Sequence, residues 1–170
     1  MDILSYFRVV TDFKPGVNFY DISTLMLDPA AMREVIAQLH ERIEPYEPDL
    51  IMGIESRGFL LGTQLAQDLG VAYAMVRKGG KLPGETISEE YDLEYGSDTM
   101  EIQPDLVGQF SRVVIVDDLL ATGGTMAAAE KLVAKAGADV VATACIIELD
   151  GLNGRDKLEA PFEALIKAPG

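Results

Sequence analysis

Hydrophobic residues follow two different spacings along the chain. In three segments they recur every three or four positions, which is the period of a helix with one buried face. Four other segments are short apolar runs, and the run 112–116 is rich in β-branched residues, as is typical of a parallel strand covered on both faces. The spacing predicts helices over residues 29–44, 58–69 and 126–136 and strands over residues 50–54, 71–76, 112–116 and 138–148.

The alternation of these helices and strands indicates an α/β fold with a parallel sheet. The length of 170 residues fits a single domain, 1–170. In such sheets ligands bind at the carboxyl ends of the strands, so the loops that follow the strands are the candidate site. Three of these loops are polar and contain glycine: 55–58, 77–81 and 117–125. We expect the three loops to meet at one edge of the sheet.

The third loop has the most informative chemistry. Two adjacent acids, Asp117 and Asp118, precede a turn of threonine and glycine that opens a helix. Backbone N–H groups at a helix N-terminus bind anions, and glycines let a phosphate approach closely. Carboxylates accept hydrogen bonds from a vicinal diol, so the loop suits a ribose 5-phosphate. The alternative interpretation is a helix cap with two solvated acids before it, and the Thr-Gly-Gly-Thr turn alone does not decide between them.

The charge balance excludes several classes of protein. The chain carries 14 Lys and Arg against 28 Asp and Glu, a net charge of −14, which argues against broad binding to nucleic acid or to anionic membranes. Any bound anion needs a local basic patch, and the tightest one is Arg77, Lys78 and Lys81. One cysteine and one histidine exclude an internal disulfide and a Cys/His zinc site. Without an apolar run of membrane-spanning length or a signal peptide pattern, we expect a cytoplasmic protein.

A specific motif lies at the third loop. The segment VVIVDDLLATGGT at 113–125 resembles the thirteen-residue signature of the type I phosphoribosyltransferases. Four further segments, in order and spacing, resemble the adenine phosphoribosyltransferase family: PGVNFYDIS at 15–23, GIESRGF at 53–59, RKGGKLPGET at 77–86 and LEYG at 93–96. The similarity extends over roughly residues 5–167.

The resemblance implies a fold and a reaction. The fold is a Rossmann-like parallel sheet flanked by helices, with a small N-terminal hood at residues 1–28 and a flexible lid loop at 79–98. The reaction belongs to purine salvage: the phosphoribosyl group of 5-phosphoribosyl 1-diphosphate (PRPP) passes to adenine and gives AMP and pyrophosphate. Mg²⁺ is expected to bind together with PRPP and not at a separate protein site, and the family is usually homodimeric.

The resemblance also implies a role for each matching residue. Asp117 and Asp118 hold the ribose hydroxyls and face the positive charge that develops on the sugar, while Glu94 manages a proton on the purine. The catalytic residues are then Glu94, Tyr95, Asp117 and Asp118; the 5′-phosphate residues are Ala121, Thr122, Gly123, Gly124 and Thr125. The pyrophosphate residues are Glu55, Ser56, Arg57, Arg77, Lys78 and Lys81; the adenine residues are Asn18, Phe19 and Tyr20.

Two positions depart from the family pattern. Asn18 stands where the family commonly has an aliphatic residue, and Tyr20 stands where it commonly has an arginine that reaches PRPP. Both lie close to the expected base and PRPP sites, so a second hypothesis is transfer to another purine, xanthine or hypoxanthine. A third hypothesis is a PRPP-binding regulator without catalysis, but the chain lacks the extra domain and the basic surface that DNA binding requires.

Overall fold

The computed structural model describes residues 1–93 and 96–170. In these ranges the strands are β1 (Arg8–Lys14), β2 (Val17–Asp21), β3 (Leu50–Ile54), β4 (Ala72–Lys78), β5 (Ile87–Leu93), β6 (Gly96–Ile102), β7 (Arg112–Leu120), β8 (Asp139–Asp150) and β9 (Phe162–Pro169). The α-helices are α1 (Ser23–Met26), α2 (Pro29–Ile43), α3 (Arg57–Leu69), α4 (Pro104–Val107) and α5 (Gly124–Lys135). Three 3₁₀ turns cover Ile3–Tyr6, Glu44–Tyr46 and Gly154–Lys157.

A seven-stranded sheet in the order β5-β6-β4-β3-β7-β8-β9 forms the centre of the fold. The strands from β4 to β9 in that order are parallel, whereas β6 pairs antiparallel with both β4 and β5. The Rossmann-like parallel sheet flanked by helices is therefore confirmed. The carboxyl ends of β3, β4 and β7 lie at the same edge, which brings the three polar loops together as expected.

Both faces of the sheet are covered by helices. Alternate residues of β3 and β7 point to opposite faces: Ile51 and Val114 pack with α2 and α3, while Met52 and Ile115 pack with α5. All five residues of β3 are buried, which explains why its sequence is continuously apolar and not alternating.

The ends of the helices follow from local chemistry. The Asp28 carboxylate accepts hydrogen bonds from the N–H groups of Ala30 and Ala31, and Pro29 occupies the first helical position of α2. Helix α3 ends at Gly70, whose φ of +69° is a conformation that glycine adopts without strain. The predicted starts and ends of these helices are close to the observed ones.

The structure corrects one strand boundary at the site and adds a strand. The strand predicted over 112–116 continues to Leu120, because β8 pairs with it as far as Leu120 and Glu148. Asp117 and Asp118 therefore lie on the strand and not in the loop after it. The strand β9 was not predicted at all.

The segment predicted as a lid loop over 79–98 is also different. Strands β5 and β6 form an antiparallel hairpin, and β6 joins the central sheet through β4, where Arg77 pairs with Glu101 and Lys78 with Met100. Among the described residues of this segment, the irregular stretch is the one between β4 and β5. The hairpin was missed because its strands carry many acidic side chains, and its apolar positions are few.

The N-terminal residues form a separate small layer. Strands β1 and β2 pair antiparallel as a two-stranded sheet, with Val10 opposite Phe19. The carboxylate of Asp21 accepts hydrogen bonds from Arg8 and from the N–H of Ser23, which fix the end of β2 to the start of α1. Among the described residues, no helix combines the length and the apolar character that crossing a bilayer requires.

Candidate active site

A cleft of about 330 Å³ lies at the carboxyl ends of the central strands. The cleft is lined by Glu55, Arg57 and Lys78, which lie at or just after the ends of β3 and β4. It is also lined by every residue from Asp117 to Met126, in β7, the following loop and the start of α5. A second hollow of about 300 Å³ adjoins it and shares Glu55, Arg57, Lys78 and Asp117. The three polar loops singled out in the sequence thus surround one space.

The two acids of β7 have different surroundings. Asp118 is 3% exposed, and its carboxylate accepts a hydrogen bond of 2.5 Å from Nε of Arg57. Asp117 is half-buried and accepts the N–H of Asp118 at 2.9 Å. Burial, and then the negative charge of Asp118, raise the pKa of Asp117 well above its usual range. The cleft therefore contains a carboxylate that a cationic group in the cleft would stabilise.

The loop after β3 is organised around Glu55. Its carboxylate accepts the backbone N–H of Lys78 at 2.8 Å and lies 3.3 Å from Nε of Arg77. Burial alone would raise the pKa of Glu55, but the Lys78 N–H and the Arg77 guanidinium lower it below its usual value. The peptide bond between Glu55 and Ser56 is cis. Glu55 thus joins the ends of β3 and β4 and keeps a negative charge.

The basic residues predicted to bind pyrophosphate occupy different places. Arg57 and Lys78 line the cleft, whereas Arg77 is held by Glu55 and lies 5.9 Å from the centre of the Phe59 ring. Lys81 is exposed in the irregular stretch after β4 and does not belong to the residues that line either hollow. The structure therefore brings two of these four cations to the space.

The loop after β7 leads into helix α5 with free N–H groups. Gly123 precedes the helix with a φ of +84°, and its carbonyl accepts the N–H of Ala127 as the first helical bond. The amides before Ala127 have no acceptor within the helix, and among the described residues no side chain caps them. Together with the positive end of the helix dipole, these amides form an electropositive surface that suits a phosphate dianion.

The N-terminal layer reaches the same site through aromatic contacts. The guanidinium of Arg57 lies 5.4 Å from the centre of the Phe19 ring, and the ring centres of Phe13 and Phe19 are 4.9 Å apart. Asn18 is half-buried beside them. Tyr20, which was assigned to the base site, is 5% exposed, and its hydroxyl donates to the carbonyl of Pro169 at 2.6 Å, so its side chain packs away from the cleft.

The β5–β6 hairpin also lines the cleft, next to the start of α5. Tyr91, Asp92 and Leu93 of β5 and Met100 of β6 line it. Sequence reasoning missed these residues, although the alternation of Ile87, Tyr91 and Leu93 at even spacing was a usable strand signal. Glu94 and Tyr95, to which catalytic roles were assigned, lie outside the described residues.

Comparison with known proteins gives a consistent result. Residues 23–167 match the phosphoribosyl transferase domain family. Over 167 residues the chain is 58% identical to the adenine phosphoribosyltransferase of Rhodospirillum centenum, with 98% of both chains covered. It is 52% identical to that of Gluconacetobacter diazotrophicus, with 98% of this chain and 95% of the relative covered.

Solved structures show the same similarity. The adenine phosphoribosyltransferase of Thermoanaerobacter pseudethanolicus superposes with a TM-score of 0.94 at 46% identity, covering 98% of each chain. That of Saccharomyces cerevisiae, complexed with D-2,5-dideoxy-2,5-imino-altritol 1,6-bisphosphate and adenine, superposes with a TM-score of 0.89 at 41% identity, covering 95% of each chain.

Proposed function

The chain belongs to the adenine phosphoribosyltransferase family, and we propose that its cleft transfers the phosphoribosyl group of PRPP to adenine. The products are AMP and pyrophosphate. One observation supports this assignment most strongly: an acid pair, a row of free helix amides and two cations surround a single cleft. These groups match the diol, the 5′-phosphate and the diphosphate of one PRPP molecule.

The 5′-phosphate is proposed to bind the loop 121–125. The free amides at the start of α5 supply hydrogen bonds and a positive dipole end, and the hydroxyls of Thr122 and Thr125 add donors. The ribose hydroxyls then lie towards the acids, since Asp117 and Asp118 directly precede this loop on β7. The sugar is thereby held at both ends before the diphosphate leaves.

The acid pair is proposed to stabilise the charge that appears during transfer. As the bond from C1 to the diphosphate lengthens, the ring gains oxocarbenium character and positive charge. Asp118 is fixed by Arg57, so its carboxylate needs no reorganisation when that charge develops. Asp117 has a raised pKa, so its ionised form gains most from a nearby cation.

The leaving diphosphate is proposed to meet Arg57 and Lys78, which line the cleft on the side of β3 and β4. Within residues 1–93 and 96–170, no three His, Cys, Asp or Glu side chains are grouped as a metal site. The carboxylate oxygens of Asp117 and Asp118 are ligands of the kind that Mg²⁺ prefers, and PRPP and water would supply the others. Bound in this way, Mg²⁺ would supply positive charge to the diphosphate.

The base is proposed to enter beside the N-terminal layer. Phe19 offers an aromatic face next to Arg57, and Asn18 and the backbone of β2 offer polar groups at the same edge. Because the Tyr20 side chain is buried against Pro169, its departure from the family pattern gives little support to a different purine. The proton role of Glu94 stays a prediction.

Two properties of the protein in the cell are also proposed from the resemblance, namely a homodimer and a cytoplasmic location. For the dimer, the surface near β4 gives support: Leu60 is 41% exposed and Met75 is 39% exposed. Among the described residues, β4 has a strand partner on its β6 side only at Arg77 and Lys78. Sedimentation equilibrium distinguishes a dimer from a monomer. The cytoplasmic location stays a prediction.

The experiment that tests the activity is product analysis after incubation with PRPP, Mg²⁺ and one base at a time. We expect AMP and pyrophosphate from adenine, in equal amounts, and much less nucleotide from hypoxanthine or xanthine. Good turnover of an oxopurine without turnover of adenine would contradict the assignment. The variant Asp118→Ala controls for a contaminating enzyme, since its activity should fall in the same preparation.

A further inference from the structure

The loop 121–125 is packed against a second segment of backbone, the 3₁₀ turn Gly154–Lys157. A Cβ atom added at Gly154 would lie 2.2 Å from the carbonyl oxygen of Ala121 and 3.0 Å from the nitrogen of Gly123. A Cβ atom added at Gly123 would lie 2.3 Å from the carbonyl oxygen of Gly154. The two backbones therefore touch without any side chain between them, and the position of one determines the position of the other.

Arg155, the residue after Gly154, is anchored to the sheet by a bidentate ion pair with Glu148. Arg155 donates from Nε to Oε1 of Glu148 at 2.9 Å and from Nη2 to Oε2 at 2.6 Å. Its Nη1 lies 3.4 Å from the carbonyl oxygen of Phe162, and its Cζ lies 4.8 Å from the centre of the Phe162 ring. A bidentate guanidinium–carboxylate pair fixes orientation as well as distance, so the turn cannot rotate freely on the sheet.

The carboxylate at the other end of this pair belongs to the strand next to β7. Glu148 is 9% exposed and pairs in register with Leu120, the last residue of β7 before the loop 121–125. The hydrogen bonds from Arg155 lower the pKa of Glu148, so the pair stays ionised at neutral pH. The loop is thus held at its start by strand pairing and along its length by Gly154.

We propose that Gly154, Arg155 and Glu148 are positioning residues, which we call the Gly154 brace, and that they hold the loop 121–125 in the shape that binds the 5′-phosphate. This inference rests on the proposed function, because it assigns the loop to the phosphate of PRPP. None of the three lines the cleft itself. Their effect is therefore on the geometry of amides that other residues supply.

The brace makes a distinctive kinetic prediction. The 5′-phosphate does not react, so a displaced loop weakens PRPP binding equally in the ground state and in the transition state. We expect Arg155→Gln to raise the KM for PRPP at least ~10-fold, because a displaced loop aligns its amides poorly with the phosphate and ~10-fold corresponds to only about 1.4 kcal/mol of binding free energy. The kcat should stay within about twofold of wild type, and the KM for adenine should not change.

A merely structural role predicts a different result. Partial unfolding lowers kcat, because fewer molecules are active, and leaves both KM values unchanged. Glu130→Gln is the matched control: Glu130 is buried and accepts the N–H groups of Glu159 and Ala160, so it anchors the same connection between β8 and β9 without touching Gly154. We expect this control to keep the wild-type KM for PRPP.

A second variant and a binding measurement complete the test. If Arg155→Gln does not fold, Glu148→Gln, which keeps the shape of the side chain, takes its place and should show the same rise in KM for PRPP. Calorimetry with ribose 5-phosphate alone should show the same fold-loss of affinity as the KM for PRPP. An unchanged KM and unchanged ribose 5-phosphate affinity in a folded, active variant would overturn the brace.

The two proposals fail in different ways. If wild type binds ribose 5-phosphate but makes no AMP from adenine, the proposed function is wrong, and the calorimetric comparison still decides the brace. If wild type makes AMP and the Arg155 variant binds ribose 5-phosphate normally, the brace is wrong and the proposed function stands.

Discussion

Two acids at the carboxyl edge of the sheet have opposite surroundings. Glu148 on β8 is paired with Arg155 through two hydrogen bonds, and its pKa is lowered. Asp117 on the neighbouring strand β7 has a raised pKa, since burial and the charge of Asp118 outweigh the attraction of Arg57. The first acid stabilises the fold in its ionised form, whereas the ionised form of the second costs stability.

This difference separates structural chemistry from site chemistry. A buried carboxylate that only supports the fold is satisfied by its own partners. A carboxylate without such a partner interacts more strongly with a cationic sugar when the substrate binds. Its burial lowers the free energy of unfolding, and other contacts of the fold offset that loss. Asp117 is a carboxylate of the second kind. Asp118 shares features of both kinds, because it lines the cleft but is paired with Arg57.

The largest expected effect comes from removing the fixed acid at the cleft. Asp118→Ala should lower kcat by at least ~10², which is the order seen when one preorganised electrostatic group is removed. Steady-state kinetics with adenine and PRPP measure it. Glu130→Gln, a buried acid away from the cleft, should keep most of the activity. Wild-type rates in Asp118→Ala would mean that the acid pair is wrongly assigned.

A smaller effect should appear as opposite changes in stability. At pH 7, Asp117→Asn should raise Tm by a few degrees, and Glu148→Gln should lower it, since ~1 kcal/mol shifts Tm by about 2–4 °C in a chain of this size. Asp117→Asn should lose activity while it gains stability. Thermal unfolding followed by circular dichroism measures both variants, and a lower Tm for Asp117→Asn would contradict the comparison.

The sign of the pH dependence follows from the raised pKa of Asp117. The native state holds this proton to higher pH than the unfolded chain, so wild type loses stability as pH rises from about 4 towards the raised pKa. The stability advantage of Asp117→Asn should therefore vanish below about pH 4, where both states are protonated, and grow above it. A constant difference across pH would show that the titration of Asp117 is not the cause.

The smallest effect concerns the β5–β6 hairpin. Nζ of Lys135 on α5 lies 2.5 Å from a carboxylate oxygen of Glu89, which joins the hairpin to the helix that begins in the loop 121–125. Exposed ion pairs contribute only ~0–1 kcal/mol, so Lys135→Gln should speed proteolysis within the hairpin by no more than about fivefold. PRPP with Mg²⁺ should slow that cleavage if the hairpin is the lid. Equal cleavage with and without ligand would reject it.

The sequence predicted the meeting of the three loops because the rule for parallel sheets depends only on the order of strands and helices. It also singled out Asp117, Asp118 and the loop 121–125, which line the cleft, since adjacent acids and glycines are local signals. The sequence pattern did not predict contacts between distant segments. The burial of Tyr20 depends on Pro169 at the other end of the chain, and the contact between Gly123 and Gly154 depends on the path between β8 and β9.

The placement of the acids within β7 was missed for a related reason. Two adjacent carboxylates read as the end of a buried strand, but pairing with β8 continues through Leu119 and Leu120. The hairpin was misread because its acidic residues include Glu89, which faces a lysine of α5, so their charge is balanced by a partner far along the chain. In both cases a tertiary neighbour outweighs the local pattern.

The most direct test of the account is a crystal structure of the protein with AMP bound. We expect the ribose hydroxyls within ~2.5–3.0 Å of the carboxylates of Asp117 and Asp118 and the phosphate on the amides at the start of α5. A ribose whose hydroxyls point away from both acids, or a phosphate bound away from the loop 121–125, would contradict the account.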